Sequence, residues 1–153
     1  MEVEIIDFEP RFRQEFTDMN IEWISHYFTV EPHDLEQLEN PEDYILDKGG
    51  KIFFARYGDE IIGTVALIKC AETVYEMAKM AVKPAFRGFG AGEKLGRHLI
   101  EEAKKAGCTR LFLESNRQLT PALTLYKKLG FVEVPIGETL YSRANYKAEM
   151  YFK

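Results

Sequence analysis

Apolar residues recur along the chain with two different periods, which predict its helices and strands. Spacings of three and four over residues 11–28 indicate one amphipathic helix. Pro32 opens a second helical stretch, and Asn40-Pro41 begins a short third one that ends before Gly49-Gly50. The apolar stripe of the first helix consists of Phe12, Phe16, Met19, Trp23 and Tyr27.

Short runs rich in branched and aromatic residues follow these helices and predict strands. Gly58-Asp59 separates two of the runs and suits a tight hairpin. Together with one run at the N-terminus, the predicted strands are Val3–Asp7, Lys51–Tyr57, Glu60–Cys70, Thr73–Val82, Arg110–Glu114, Phe131–Val134 and Ala144–Phe152.

Two helical runs alternate with the last strands. The first extends from Glu93 to Ala106 and is closed by Gly107. The second ends at Leu129 before a glycine, and Thr120-Pro121 supplies its N-cap and first helical position. This order predicts an α/β (α+β) fold in one domain, residues 1–153. Its sheet is expected to be mixed, mostly antiparallel and six- to seven-stranded, with helices on both faces.

Composition narrows the classes of function. A net charge of −5 disfavours nucleic-acid binding and suits a cationic small molecule or peptide, although acidic residues mostly solvate a protein surface. The longest apolar runs, such as Ile61–Ile68, are too short to cross a bilayer, and the N-terminus lacks the features of a signal peptide. Cys70 and Cys108 form no disulfide framework, and no histidine pair has metal-ligand spacing. We therefore expect a cytoplasmic protein with no membrane, nucleic-acid or metal partner.

A glycine-rich segment lies between a predicted strand and the helix after it. Its sequence is Arg87-Gly88-Phe89-Gly90-Ala91-Gly92. Glycines permit positive φ and close backbone approach, and a helix N-terminus favours an anion such as a pyrophosphate. It is neither a nucleotide-hydrolase phosphate loop nor a dinucleotide fingerprint, because no Gly-Lys-Ser/Thr follows and Glu93 stands where the third glycine should be. The alternative is a turn whose glycines serve tight packing alone.

Two motifs in the second half of the chain resemble those of the GNAT superfamily. Val82-Lys83-Pro84 and the glycine-rich segment are similar to its acetyl-coenzyme A motif, in which Arg87, Gly90 and Gly92 fill the defining positions. Residues 125–131, Leu-Tyr-Lys-Lys-Leu-Gly-Phe, are similar to its second signature. The resemblance implies the GNAT acyl-CoA N-acyltransferase fold. It also implies an N-acetyltransferase that passes the acetyl group of acetyl-CoA directly to an amine of a small molecule, amino acid or peptide.

The same resemblance implies how the acyl donor is held. A bulge would splay the fourth strand from the fifth, so that the backbone of Met80, Ala81 and Val82 could hydrogen-bond the pantetheine arm. Leu119 stands where many members carry an asparagine that contacts this arm; Asn116 either replaces it or caps a turn. The main-chain N–H groups that would take the pyrophosphate are those of Arg87, Gly88, Phe89, Gly90, Ala91 and Gly92.

Two side chains would carry the chemistry by the same resemblance. An amine with a pKa of about 10.4 needs a base at neutral pH. Glu76, six residues before Val82, matches a glutamate that is the base in several members; alternatively it is a carboxylate bonded within the sheet or exposed. Tyr126 matches the tyrosine that protonates the leaving thiolate; alternatively it packs beneath the donor.

Other functions and the acceptor stay open. The chain could instead be a catalytically silent acyl-CoA-binding regulatory domain or an interaction protein, although the presence of both a base and an acid favours an enzyme. An aromatic cluster at residues 23–28 could line an acceptor pocket or belong to the core, and Arg143 could recognise a carboxylate. The final strand offers a pairing edge for a homodimer.

Overall fold

Seven strands form a single sheet in the computed structural model, which describes residues 2–153. They are β1 (Val3–Asp7), β2 (Lys51–Tyr57), β3 (Glu60–Lys69), β4 (Val74–Val82), β5 (Arg110–Ser115), β6 (Val132–Val134) and β7 (Tyr146–Tyr151). Their order is β1-β2-β3-β4-β5-β7-β6. Neighbouring strands are antiparallel except β4 and β5, which are parallel. The sheet is therefore mixed and mostly antiparallel, as predicted.

Four α-helices cover the two faces of the sheet: α1 (Arg13–Tyr27), α2 (Pro32–Glu39), α3 (Ala91–Lys105) and α4 (Thr120–Leu129). One core, which includes Phe16, Leu38 and Phe54, lies between the sheet and the pair α1 and α2. The other core, which includes Leu95 and Leu111, lies under α3 and α4. Within residues 2–153, no helix has both the length and the apolar character to cross a bilayer.

Several predicted boundaries shift by one or two residues, among them those of the first helix (Arg13–Tyr27) and the last strand (Tyr146–Tyr151), and three other helices also need correction. The short third helix is a single π-helical turn, Glu42–Leu46. The helix predicted from Glu93 begins at Ala91, directly after the glycine-rich segment. The N-cap of α4 is Leu119 and not Thr120, because the first helical hydrogen bond runs from Leu123 N to the Leu119 carbonyl, at 3.0 Å.

A β-bulge in β4 shapes the region around the glycine-rich segment. Thr64 pairs with Ala81 and Ala66 with Ala78, so that two residues of β4, Lys79 and Met80, oppose one residue of β3. The extra residue inverts the side-chain alternation. Before the bulge, the odd-numbered Met77 belongs to the core under α3, whereas after it the odd-numbered Ala81 belongs to the core under α1.

The bulge coincides with the separation of β4 from β5. The two strands pair only from Val74 to Glu76 on the β4 side. Beyond Glu76, no strand among residues 2–153 is hydrogen-bonded to β4 on the side of β5. The main chain from the bulge to Val82 therefore borders an opening in the sheet.

Candidate active site

A cleft of about 610 Å³ occupies the opening between β4 and β5. The glycine-rich segment lies at one end of the cleft, and α1 and the chain before β7 contribute to its walls. All but one of the predicted site residues line it: Glu76, Met80, Ala81, Val82, Arg87, Gly88, Gly90, Ala91, Gly92, Asn116 and Tyr126. The exception is Phe89, which is 46% exposed and packs its ring against Tyr57 and Phe86 instead.

The glycine-rich segment presents a row of unpaired main-chain N–H groups. Within the described chain, the N–H groups of Gly88, Gly90, Ala91 and Gly92 have no acceptor. Those of Arg87 and Phe89 already donate to carbonyls one turn back, at 3.3 and 3.4 Å, so the predicted set of six donors reduces to four. Three of the four belong to the start of α3, where the helix dipole also favours an anion.

The glycines of this segment do not serve packing alone. Gly88 and Gly90 have φ of +87° and +80°, and a Cβ at either would meet no atom within 4 Å. A Cβ at Gly92 would instead lie 3.4 Å from a methyl group of Leu125 and 3.9 Å from the sulfur of Met80. The first two glycines are thus required by backbone conformation. The third brings the start of α3 against the bulge.

Glu76 lies on β4 at the point where β5 departs. Its neighbours Tyr75 and Met77 are buried on the opposite face, as strand alternation predicts, and its carboxyl group borders the cleft. Burial raises the pKa of Glu76 to about 7, and the negative charge of Glu114 acts in the same direction. Lys79 and Lys147 oppose this shift. A carboxyl group that titrates near neutral pH is suited to accept a proton from an amine.

Tyr126 borders the cleft from α4, and its ring contacts two other aromatic rings. It lies 6.4 Å from the ring of Phe131 and 6.5 Å from that of Tyr146. Burial raises the pKa of Tyr126, and a hydrogen bond with Ser115 opposes that shift. The phenol therefore carries its proton at neutral pH and can donate it.

Asn116 is engaged within the protein. Its amide nitrogen donates to the Arg143 carbonyl at 2.7 Å, and its side-chain oxygen accepts from Gln118 N at 2.8 Å. The second bond closes a turn of the kind that asparagine favours before a helix. Asn116 borders the cleft as well, but these bonds favour the turn-capping alternative over donor contact.

The aromatic cluster and Arg143 both reach the cleft. Trp23, Tyr27 and Phe28 form one wall of the cleft, hereafter the aromatic wall; His26 lies outside it, its ring 4.6 Å from that of Tyr27. Arg143 does not present a free guanidinium, because Asp34 and Glu31 of the protein hold it at 2.8–3.1 Å. The carboxylates that Arg143 recognises are therefore the protein's own.

Sequence reasoning missed a buried ion cluster at this end of the cleft. Lys79, the bulge residue, has a φ of 57° and donates to Asp34 at 2.8 Å and to the Tyr141 hydroxyl at 3.0 Å. Asp34 also accepts both arms of Arg143. Burial disfavours the charge of Asp34, but hydrogen bonds from Arg143 and the nearby charge of Lys79 outweigh it and hold its pKa well below its usual range.

Glu114 was also missed as a cleft residue. It follows Phe112 on β5 by two positions, and Phe112 is in register with Glu76. The two glutamates therefore share one face of the sheet. The side-chain alternation along Arg110–Ser115 was the available sequence signal, because it assigns Glu114 to one face of β5. It places Glu114 on the same face as Glu76 only once β4 and β5 are known to be parallel neighbours.

Within residues 2–153, no group of three or more His, Cys, Asp or Glu side chains could hold a metal ion. Cys108 is buried, and Cys70 is exposed at the end of β3.

Comparison with known proteins places this geometry in a family. The family model described as acetyltransferase (GNAT) family matches residues 17–131, which is most of the chain. An uncharacterized N-acetyltransferase of Escherichia coli K12, YjgM, is 33% identical over 110 residues, which cover 70% of this chain and 64% of that protein. The chain spans between 28% and 64% of the length of four such curated relatives.

Solved structures share the fold. A GNAT-family acetyltransferase from Staphylococcus aureus Mu50 superposes with a TM-score of 0.89 at 22% identity, covering 99% of each chain. A Bacillus subtilis acetyltransferase in complex with CoA superposes with a TM-score of 0.72 at 21% identity, again over 99% of each chain. With the split β4–β5 pair and the open glycine-rich segment, these matches lead to one conclusion: the chain belongs to the GNAT family of acetyltransferases.

Proposed function

We propose that this protein is an N-acetyltransferase that transfers the acetyl group of acetyl-CoA directly to an amine. The observation that carries the proposal is the position of Glu76, whose pKa is raised to about 7, in the same cleft as the unpaired N–H groups of the glycine-rich segment. One end of the cleft can hold an anionic donor and the other can accept a proton. A binding module that does not turn over would need only the first.

The donor fits the residues that are present. The N–H groups of Gly88, Gly90, Ala91 and Gly92 would bind the pyrophosphate, and Arg87, which borders the cleft, adds positive charge. The main chain of β4 from Met80 to Val82 would hydrogen-bond the pantetheine arm as an added strand. CoA is present in the Bacillus subtilis structure that shares this fold. Acetyl-CoA supplies an acetyl group on a thioester, which an amine can attack.

The side chains of the cleft would handle the protons. Glu76 as carboxylate takes a proton from the acceptor ammonium or amine, directly or through water. The nitrogen forms a bond to the acetyl carbon as the carbon–sulfur bond breaks. Tyr126 would supply a proton to the departing sulfur and recover one from Glu76 through water, so that the products are an amide and a thiol. Because transfer is direct, no cysteine nucleophile is required.

The direct test is thiol release from acetyl-CoA in the presence of a panel of primary amines. Amine-dependent release, with the acetylated amine identified by mass spectrometry, would support the proposal. If the protein bound CoA but released no thiol with any amine, the silent-domain alternative would replace it.

Substitution of Gly90 tests the role of the glycine-rich segment. In Gly90→Ala, a side chain must adopt a φ of +80°, which costs about 1–2 kcal/mol and drives the loop out of its present shape. We expect the affinity for CoA, measured by calorimetry, to fall roughly tenfold or more.

The matched control for this substitution is Gly107→Ala, at the other end of α3. Gly107 has a φ of +86° and the same empty surroundings, so it should suffer similar strain. It should keep the affinity for CoA. Equal losses in both variants would contradict a specific role of Gly90.

Substitution of Glu76 tests the base. The active form is the carboxylate, so kcat/KM should rise with pH through about 7 and then level off, since protonation below that pKa removes the base. Glu76→Gln should lower kcat/KM about 10²–10³-fold at pH 8 and abolish this acidic limb. The control is Glu72→Gln, because Glu72 lies on the exposed turn before β4. This substitution should change neither kcat/KM at pH 8 nor the acidic limb. If the acidic limb of the kcat/KM profile persists in Glu76→Gln, the group that titrates near pH 7 is not Glu76.

Substitution of Tyr126 tests the acid. Tyr126→Phe should reduce kcat about 10²-fold, because the thiolate then leaves without a positioned proton. The affinity for CoA should be unchanged. The comparison variant is Tyr146→Phe, which alters the stacked ring 6.5 Å away and should retain kcat. If Tyr126→Phe retained full activity, Tyr126 would not be the acid and would serve only in packing.

A further inference from the structure

Charge is unevenly distributed at the acceptor end of the cleft. We define this end by Glu76, Lys79, Glu114, Tyr141 and Arg143, together with the aromatic wall. Glu76, Glu114 and Tyr141 line the same cleft, and the two glutamates share one face of the sheet. Two carboxyl groups and two cations therefore face the space where an acceptor would bind.

Both cations are neutralised by the protein. Asp34, which is fully buried, accepts both arms of the Arg143 guanidinium and the Lys79 ammonium at 2.8–2.9 Å. Glu31 accepts a further bond from Arg143 at 3.1 Å. A bidentate pair with a buried carboxylate is strong, and exchanging it for a ligand carboxylate would remove two of the charge-assisted hydrogen bonds that the buried Asp34 accepts. Neither cation is available to an acceptor.

Both carboxyl groups are without a partner cation. Within residues 2–153, neither Glu76 nor Glu114 has a basic nitrogen within 4.0 Å. Glu114 accepts one neutral hydrogen bond, from the Thr139 hydroxyl at 2.6 Å. Its cross-strand neighbour Lys147 is directed elsewhere, with its ammonium 3.9 Å from Glu149 and 5.0 Å from the ring centre of Phe112.

We infer that the acceptor is a cationic primary amine with an apolar or aromatic body and no carboxylate beside the nitrogen. The inference rests on the proposed function and names the substrate class of the same site. An ammonium group would meet two unpaired carboxyl groups, and the aromatic wall would cover the body of the molecule. A carboxylate beside the nitrogen would face Glu76 and Glu114 with no free cation to meet it. Exclusion by like charge is a common source of specificity.

Binding of three matched ligands tests this inference without turnover. Tryptamine, tryptophanamide and tryptophan share one ring system and one amine, but only tryptophan carries a carboxylate. They are titrated by calorimetry into the full chain saturated with CoA, which cannot react. We expect tryptophan to bind roughly tenfold or more weakly than the other two.

Three results would overturn the inference. The first is that tryptophan binds as tightly as tryptamine. The second is that tryptophanamide binds as weakly as tryptophan, because bulk and not charge would then be the cause. The third is that none of the three ligands binds at millimolar concentration.

A substitution that removes the charge of Glu114 tests the electrostatic part of the inference. The ratio of ligand affinities should respond to that charge, but it should not respond if Glu114 only packs against its neighbours. Glu114→Gln should lower the affinity for tryptamine several-fold. It should also reduce the ratio of the affinity for tryptamine to the affinity for tryptophan. Glu133→Gln, on the edge strand β6 and outside the cleft, is the matched control and should leave the ratio unchanged. An unchanged ratio in Glu114→Gln would overturn the inference.

Turnover of the same ligands separates this inference from the proposed function. If tryptamine bound selectively but no thiol were released from acetyl-CoA with any amine, the proposed function would fail and the binding class would stand. If thiol were released faster with tryptophan than with tryptamine, the inference would fail and the proposed function would stand.

Discussion

The cleft depends on one mismatch in the sheet, where two residues of β4 oppose one residue of β3. The mismatch forces Lys79 to a φ of 57°, a conformation that costs a side-chain-bearing residue about 1–2 kcal/mol. The ammonium group of Lys79 forms a buried ion pair with Asp34 of α2, at 2.8 Å. A residue of α2 is thus in direct contact with the bulge beside the opening between β4 and β5. The inverted alternation after the bulge also turns Met80 toward the start of α3.

The bulge separates two electrostatic environments within one cleft. On one side are main-chain N–H groups of the glycine-rich segment, which favour the phosphates of a donor. On the other side are Glu76 and Glu114. Burial, and after it the negative charge of Glu114, raises the pKa of Glu76 to about 7. An anionic donor and a cationic acceptor would therefore enter the cleft at different ends. The acidic character of the chain as a whole says little about this arrangement, because the two ends differ locally.

Local signals were sufficient to predict most of the architecture. Strand and helix periods gave the seven strands and the four helices, and the positive φ of Gly90, Gly107 and Gly130 agrees with glycines placed at helix ends. The cap of α4 was misplaced because the Asn116 turn sets the start of that helix one residue earlier than Thr120-Pro121 suggests. Such a shift depends on side-chain hydrogen bonds that no periodicity reveals.

The ion cluster and the carboxyl pair could not be read from local patterns. Asp34 lies 45 residues from Lys79 and 109 residues from Arg143, so nothing in the spacing links them. Arg143 was considered as a ligand for a substrate carboxylate, and only the folded chain shows that Asp34 and Glu31 already occupy it. Glu76 is a candidate from the sequence because its position, six residues before Val82, resembles that of the glutamate that is the base in several GNAT members. Its partner Glu114 required knowledge of the parallel pairing.

The open N–H groups of the glycine-rich segment and the splayed main chain of β4 together form the proposed binding site for the acyl donor. Amide NMR spectra of the full chain titrated with CoA would show whether these groups bind it. We expect the largest chemical-shift changes at the amides of Gly88, residues 90–92 and residues 80–82, and none at the amides around Gly107. CoA binding that perturbs other surfaces and leaves the amides of the proposed site unshifted would contradict this expectation.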